Sequence, residues 1–362
     1  METDEIQFLR TIRATPHDDA PRMVYADWLD ETGQGERAEF IRLQCLRETL
    51  EAHDPRRRSL LTRERYLWKK LAVDWRADLP PSLRQSPFIR GFPQPAELEL
   101  TASQFLFLAD DYLDAAPAWT ARLWIHERDP LPRLTESGRL ERLTGLNLLV
   151  AGAEPARLDH LLASPSLRNL RSLQVEGHPF ERRHLQTMTQ SPALAGLRRL
   201  GIFCNPLREA GARDLAASPY WRNLETLDLN GCAIGDEGLL ALATSKNLPN
   251  LRELNLPHNG LETNAAGTII SSRQFKRLVG LGLFGNHLGD AGARALAYGR
   301  NLEHLSRLDL GLNRIGPVGG RALADSPFLQ GLRQLYLGGN RVGDDPLALD
   351  ALRVRFGEHV TV

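Results

Sequence analysis

A ladder of leucines repeats every 27 residues through more than half of the chain. The pattern L-x-x-L-x-L starts at Leu143, Leu170, Leu197, Leu224, Leu251, Leu278, Leu305 and Leu332. Within each copy, apolar residues alternate with other residues, as in Leu227-Asp228-Leu229. This period of two predicts one short strand per copy, with one face buried.

A helix is predicted after each strand. In the copy at residues 223–246, the turn Ile234-Gly235-Asp236 precedes apolar residues at helical spacing, from Leu239 to Ala243. We expect Asp236 to cap this helix, because its carboxylate can accept hydrogen bonds from the free N–H groups of the first turn. A serine follows the helix in six copies, and in four of them a proline comes next and stops the helix because it lacks an N–H group.

The period and the motif together are typical of leucine-rich repeats. Because the chain returns through a helix each time, successive strands should lie parallel. Strands pack about 4.8 Å apart and helices about 8–10 Å apart, so the stack should curve. The predicted fold class is therefore α/β, a right-handed leucine-rich-repeat horseshoe solenoid with strands on the concave wall, helices outside and a helical domain at the N-terminus.

The ladder continues more weakly at both ends of this region. Leu98 and Leu100, and then Leu123 and Ile125, show the same alternation. A last short strand is predicted at Val360–Val362, after a helical segment. We therefore expect ten repeat strands plus one closing strand.

One polar position of the repeat is interpreted as structural. Eight residues after each first leucine stand Ala151, His178, Asn205, Cys232, Asn259, Asn286, Asn313 and Asn340. A buried asparagine here can bond the backbone groups left open where the strand becomes a turn. The histidine and the cysteine at this position lack metal-ligand spacing.

The predicted domains are a helical domain at 1–79, a proline-rich connector without regular structure at 80–95, and the solenoid at 96–362. In the first domain, Pro21 is expected in the first turn of a helix that ends near Gly33, and Asp54-Pro55 starts another helix. This domain should cap an open end of the solenoid. Its segment 53–76 carries eight basic and three acidic residues, with Tyr66, Trp68 and Trp75 among them.

Two resemblances to known families follow from these residues. D-A-P-R-M-V-Y-A-D-W-L-D-E at 19–31, with R-A-E-F-I-R-L-Q at 37–44, resembles the bacterial repeat-companion domain, a short module attached to diverse repeat proteins. The resemblance implies no catalytic residues. The 27-residue copies resemble ribonuclease-inhibitor-like leucine-rich repeats, which implies protein binding on the concave face. This chain is short of cysteines and has one repeat length, so ribonuclease inhibition is not implied.

Candidate binding residues are the strand side chains that point away from the leucines. They are Trp124, Glu176, Arg199, Phe203, Asp228, Glu253, His258, Phe284, Arg307, Asp309 and Tyr336. Aromatic and arginine side chains among them are the expected anchors of an interface. Glycines 282, 285, 311, 338 and 339 are expected to leave the wall smooth near its C-terminal half.

No motif for catalysis or for a cofactor or metal is present in the sequence. Cys45 lies among apolar residues and is interpreted as a core cysteine. Basic and acidic residues balance, 45 against 45, so overall charge favours no class of partner. Three scattered cysteines, no apolar leader and no membrane-length apolar run predict a cytoplasmic protein, expected to be a monomer.

The leading hypothesis is a non-catalytic scaffold that binds a protein on the concave face. The alternatives are a nucleic-acid-associated adaptor that uses the basic segment 53–76, and a regulator of an enzyme, such as a GTPase activator. The sequence supplies no residue that would make the chain itself an enzyme.

Overall fold

The computed structural model describes residues 2–15, 18–50, 54–77, 79, 84–93, 98–115, 120–152, 155–177 and 180–361. His178, Val362 and part of the predicted connector lie outside these residues. The chain divides into two compact units. The first comprises Met1–Arg122 and Ser137–Thr144, and the second comprises Leu123–Glu136 and Gly145–Val362.

The first unit begins with helices α1 (Glu2–Ala14), α2 (Ala20–Glu31), α3 (Gly35–Thr49) and α4 (Arg56–Ala77). Pro21 lies in the first turn of α2 as predicted, where the missing N–H group costs nothing. Ile12, Tyr25, Leu29 and Ile41 form the buried core of these helices. Cys45 belongs to the same core, and burial raises the pKa of its thiol to about 12. Its interpretation as a core cysteine is therefore confirmed.

The connector contains regular structure, so its prediction as irregular was wrong. Strands β1 (Phe88–Ile89) and β2 (Phe92–Pro93) pair antiparallel. Arg90 and Gly91 between them have φ angles of 52° and 86°, which is the geometry of a type I′ hairpin turn. Buried Gln44 holds this hairpin, since its Oε1 accepts from the Gly91 N–H at 2.7 Å and its Nε2 donates to the Phe88 carbonyl at 2.9 Å.

Eleven parallel strands form one sheet in consecutive order, as the repeat count predicted. They are β3 (Leu98–Thr101), β4 (Thr120–His126), β5 (Gly145–Ala151), β6 (Ser172–Glu176), β7 (Arg199–Phe203), β8 (Thr226–Asp228), β9 (Glu253–Asn255), β10 (Gly280–Gly282), β11 (Arg307–Asp309), β12 (Gln334–Tyr336) and β13 (Val360–Thr361). Residues 27 apart are register partners, for example Leu227 and Leu254. The chain is thus a leucine-rich-repeat solenoid with an N-terminal helical region.

A helix lies between each strand of this sheet and the next strand along the chain. The helices are α5 (Ala102–Ala115), α6 (Leu131–Glu136), α7 (Pro155–Ala163), α8 (Arg182–Gln190), α9 (Arg208–Ala217), α10 (Gly235–Thr244), α11 (Thr263–Ser271), α12 (Gly289–Ala297), α13 (Pro317–Ala324) and α14 (Pro346–Phe356). The serine after the helix also forms a hydrogen bond to the preceding repeat. For example, Ser245 Oγ donates to the Ala216 carbonyl at 2.6 Å.

The leucine ladder is the core of the solenoid. The first and second leucines of all eight copies are buried, and so is the third apolar residue, from Leu148 to Leu337. The residues between them on the strands are at least partly exposed in most copies, as in the buried-exposed alternation of β6. Burial of one side chain in two is the physical cause of the period of two seen in the sequence.

The asparagine position is structural, as predicted. Asn286 Nδ2 donates to the carbonyls of Leu256 and Leu283, and its Oδ1 accepts from the N–H groups of Asn259 and Leu261, all at 2.8–3.0 Å. Asn259, Asn313 and Asn340 make equivalent bonds. Cys232 substitutes in part, since its Sγ–H donates to the Ile202 carbonyl at 3.1 Å. These bonds satisfy buried backbone groups at the end of each strand.

The predicted role of Asp236 was wrong in one respect. The structure gives α10 no side-chain cap. Instead, Asp236 Oδ1 accepts from the N–H of Glu262, the residue before α11, at 2.9 Å. Asp290 occupies the same position two repeats later. Its Oδ1 accepts from the N–H group of Gly316 at 2.6 Å and from that of Gly319 in α13 at 2.9 Å. The carboxylate therefore caps the helix of the next repeat, which couples neighbouring repeats.

Candidate binding surface on the strand face

We define the strand face as the residues two, four, six and seven positions after each first leucine. All eleven candidate residues are partly or largely exposed. Trp124 on β4 is 38% exposed and its ring lies parallel to that of His126. Tyr336 on β12 is 41% exposed. The ring systems and charges expected on this face are thus accessible.

Strand register arranges the candidates in rows across the sheet. One row consists of Arg199, Thr226, Glu253, Gly280, Arg307 and Gln334. The next row consists of Gly201, Asp228, Asn255, Gly282, Asp309 and Tyr336. Candidates far apart in sequence therefore become neighbours, which the 27-residue period predicts for this part of the sheet.

The first row contains an internal ion pair. Arg307 Nη2 on β11 lies 2.5 Å from Glu253 Oε1 on β9, and Gly280 stands between them. A Cβ atom at Gly280 would lie 3.1 Å from that guanidinium, so the glycine allows the two side chains to meet. Glu253 and Arg307 were both predicted to bind a partner, but here they neutralise each other. An exposed pair of this kind stabilises a fold little.

The second row holds two carboxylates with backbone-anchored oxygens. Asp228 Oδ1 accepts from the Asn230 N–H at 3.1 Å, and Asp228 Oδ2 accepts from Asn255 Nδ2 at 3.2 Å. Burial raises the pKa of Asp228 above its usual range, although these two bonds act in the opposite direction. Asp309 Oδ1 likewise accepts from the Gly311 N–H at 2.9 Å. Both carboxylates are fixed in direction by the chain that follows them.

An apolar band runs along the C-terminal edge of the strand face. We use this name for Phe203, Cys204, Pro257, His258, Phe284 and Leu312. Positions six and seven carry no charged residue in the six copies from Phe203 to Gly339. The ring centroids of His258 and Phe284 lie 5.3 Å apart in an edge-to-face arrangement. Cys204, Pro257 and Leu312, which the repeat pattern also predicts on this face, belong to the band.

The seventh position of the repeat has left-handed backbone in every copy from residue 177 onward. Its members are Gly177, Cys204, Gly231, His258, Gly285, Leu312 and Gly339, with φ between 51° and 96°. In this conformation the N–H group points to the next repeat, as where His258 donates to the Phe284 carbonyl at 2.9 Å. Glycine and another residue alternate along the series. This alternation is readable in the sequence and marks the strained position.

The glycines of the strand face do not leave a bare wall, so that prediction was wrong for four of the five. The ring of His258 comes within 2.3 Å of where a Cβ atom of Gly285 would be, and the ring of Phe284 within 2.6 Å of that of Gly311. Asn255 covers Gly282, and Leu312 covers Gly339. Only Gly338 among the five has open space beside it. These four glycines therefore leave room for side chains of the preceding repeat to pack against their backbone.

The basic segment makes many internal contacts. In α4, Arg63 bonds Glu39 and Lys70 bonds Glu36, both on α3. Arg57 donates to two carbonyls near the end of α3, and Arg76 lies over the ring of Trp68. The rings of Trp68 and Trp75 pack on buried Phe40, whereas Tyr66 is 56% exposed. Two of the three aromatics thus serve the helical core.

No group of residues suited to hold a metal ion occurs within the described ranges. In that same part of the chain, no helix combines the length and the apolar character that crossing a membrane requires. Burial raises the pKa of the Cys232 thiol to about 12, which disfavours a reactive thiolate there.

Comparison with known proteins supports the repeat. Residues 222–243, 281–297 and 301–324 match the family described as Leucine Rich repeat. Such repeats generally provide surfaces for protein–protein interaction and are typically non-catalytic. A search of curated proteins gives no match.

Several solved structures are similar in part. An internalin from Listeria monocytogenes shares 20% identity over 65% of this chain and 65% of that one, with a TM-score of 0.39. A chain of the yeast Rad7–Elc1 complex shares 16% over 93% and 91%, with a TM-score of 0.48. A protein from Bacteroides fragilis shares 14% over 84% and 83%, with a TM-score of 0.46.

Proposed function

We propose that the chain is a non-catalytic scaffold that binds a protein partner on its strand face. The observation that carries this proposal is the apolar band, in which Leu312 is 47% exposed at a position with a φ of 51°. A leucine in left-handed backbone costs about 1–2 kcal/mol, and the contact of Leu312 with Gly339 leaves about half of its side chain without burial to offset this cost. The repeat imposes the left-handed backbone, and a partner that covers the side chain accounts for an exposed leucine at this position.

The chemistry around the band also favours a protein partner. The partly exposed rings of Phe203, Phe284 and Tyr336 share the strand face with fixed carboxylates and an ion pair. Interfaces between proteins combine apolar cores with polar surroundings, and aromatic side chains dominate their energetics. The eleven candidate residues are accordingly proposed as contact residues.

Site-specific photo-crosslinking tests this proposal. A photoreactive amino acid at Tyr336 on the strand face should capture a discrete protein from a lysate of the source cells. The matched control carries the same group at Val318 on α13, which is 63% exposed and lies on a helix. Charge reversal at Asp228 and Asp309 should reduce capture at Tyr336. Equal capture at both positions, or capture unaffected by the charge reversals, contradicts the proposed face.

A nucleic-acid adaptor that uses α4 is the second candidate. Its support is the excess of basic residues in segment 53–76, together with exposed Tyr66. The ion pairs of Arg63 and Lys70 with α3 reduce the charge available to phosphates. Salt-sensitive retention of RNA or DNA in a gel shift, lost in Arg58→Glu/Arg65→Glu, would favour this candidate.

Further assignments remain part of the proposal. The predicted domain boundaries at 79 and 95, the companion-domain nature of the N-terminal helices and the ribonuclease-inhibitor-like class belong here. So do the monomeric state and a cytoplasmic location, which free Cys45, Cys204 and Cys232 suit. Regulation of an enzyme, such as GTPase activation, is a role that a bound partner would define.

A further inference from the structure

We propose, resting on the proposed function, that the strand face from β7 to β12 binds an extended cationic and apolar peptide segment. Two basic side chains of this segment, four residues apart, contact Asp228 and Asp309, and apolar side chains contact the apolar band. The occupant is thus a segment of a partner protein with alternating basic and apolar character.

The charge of this surface selects a cationic partner. In the six copies from Arg199 to Gly339, positions four, six and seven carry two carboxylates, Asp228 and Asp309, and no lysine or arginine. The nearest opposite charges in the first row, Glu253 and Arg307, are engaged with each other. Arg199 stands in the first row on β7, whereas both carboxylates stand in the second row. Positions four, six and seven of these copies therefore carry negative charge alone.

Hydrogen bonds within the chain hold both carboxylates in place before a cation binds. Each is held by an N–H group two residues later in its own turn, Asn230 for Asp228 and Gly311 for Asp309. This anchoring fixes the direction of the carboxylates before binding, so less side-chain entropy is lost when a cation arrives. Partial burial of Asp228 strengthens its attraction for a cation that reaches it, because screening by water is weaker there.

The separation of the carboxylates selects the conformation of the segment. Asp228, Asn255, Gly282 and Asp309 are successive register partners on β8, β9, β10 and β11. Three strand spacings of about 4.8 Å place the two carboxylates about 14 Å apart. Four residues of extended chain span about 13 Å and return the side chain to the same face. A helix would need about nine residues, which is two and a half turns and points the second side chain away.

The apolar band gives the segment its apolar contacts. His258, Phe284 and Leu312 each lie against a glycine of the next repeat, so their side chains extend from one repeat to the next, which is the direction in which the segment would run. The strained backbone of His258 and Leu312 fixes these positions. Strained residues that the surrounding structure enforces concentrate at binding sites.

The test uses labelled nonapeptides and the full-length chain, with binding measured by fluorescence anisotropy. The reference peptide has arginine at positions 3 and 7, leucine at position 5 and serine elsewhere. Three others carry arginine at 3 and 6, arginine at 3 and 5, or glutamate at 3 and 7. The reference peptide should bind about tenfold more tightly than the peptide with arginine at 3 and 6. Its affinity should fall as the salt concentration rises. The glutamate peptide should not bind.

Variants of the protein identify the contacts. Asp228→Asn and Asp309→Asn should each weaken the reference peptide about tenfold, and Leu312→Ser severalfold. Asp350→Asn on α14 is the matched control and should leave binding unchanged, since this exposed residue lies on a helix. Asp309→Arg should recover a peptide with arginine at 3 and glutamate at 7. Circular dichroism of each variant excludes unfolding as the cause.

The outcomes separate this inference from the proposed function. Equal affinities of the 3,6 and reference peptides, or unchanged affinity in both Asp→Asn variants, overturn the extended cationic segment. If crosslinking at Tyr336 still captures a protein in that case, and the charge reversals reduce that capture, the scaffold function stands with a different occupant. If crosslinking captures nothing specific either, both proposals fail.

Discussion

At the scale of single residues, Leu312 separates the requirements of folding from those of the proposed binding. Leu312→Gly should change the free energy of unfolding by less than about 1 kcal/mol, because relief of about 1–2 kcal/mol of backbone strain offsets the lost contact with Gly339 and the added freedom of the unfolded chain. The buried neighbour Leu310 provides the comparison, since it is 0% exposed. Leu310→Ala should lose about 2–5 kcal/mol. Urea denaturation measures both, and a large loss in Leu312→Gly would assign Leu312 to the fold.

Asp228 is a second residue whose placement works against stability. Its pKa is raised in the folded chain by burial, so the folded state disfavours the carboxylate. The penalty is fully present above the folded pKa and absent below the unfolded pKa of about 3.9. Asp228→Asn should therefore stabilise the chain at pH 7, and the gain should disappear as the pH falls toward 4.

Thermal unfolding of both proteins between pH 4 and pH 8 measures this difference. Asp350→Asn serves as the control, because its exposed side chain lies on α14. A stabilisation by Asp228→Asn that does not depend on pH would mean that burial of charge is not the cause. Retention of a destabilising carboxylate is a common feature of binding sites.

At the scale of the repeat, stability depends on side chains that reach from one copy into the next. Asn286 bonds five backbone groups, four of them at 2.8–3.0 Å, and Asn286→Ala removes this partner from all of them in a buried place. The expected loss is about 3 kcal/mol or more, because each unsatisfied buried group costs about 1–3 kcal/mol. Asn250→Ala is the control, since this exposed side chain makes one bond, to the Arg222 carbonyl. Its loss should stay below about 1 kcal/mol, and equal losses in urea denaturation would contradict the structural role.

At the scale of the whole molecule, the repeats form a one-dimensional stack. In such a stack each repeat is stabilised by its two neighbours, so a local change fades with distance. Leu254→Ala on β9 removes a fully buried side chain from the middle of the ladder. Amide hydrogen exchange should speed up most in β8, β9 and β10 and progressively less toward β12. A uniform increase throughout the second unit would show instead that this unit unfolds as one cooperative body.

Much of this fold follows from the sequence because its period is constant. A residue that recurs every 27 positions occupies the same environment in every copy, so one copy such as residues 223–246 describes the others. The strand count, the buried leucines, the bonding asparagines and the exposed candidate residues were all predicted on this ground. The alternation of glycine with Cys204, His258 and Leu312 was equally visible, and it marks the backbone strain found in the structure.

Only the tertiary structure shows the contacts that side chains make between different copies of the repeat or between different elements. The cap that Asp236 gives to the following repeat depends on the distance between helices, which no local pattern contains. The hairpin at residues 88–93 is held by Gln44, which is more than 40 residues earlier in the sequence and bonds the Phe88 carbonyl and the Gly91 N–H group. The cover that Phe284 gives to Gly311 depends on the direction in which a ring turns. Periodicity fixes which residues are neighbours, whereas packing fixes how their side chains meet, and packing therefore determines the surface of the strand face.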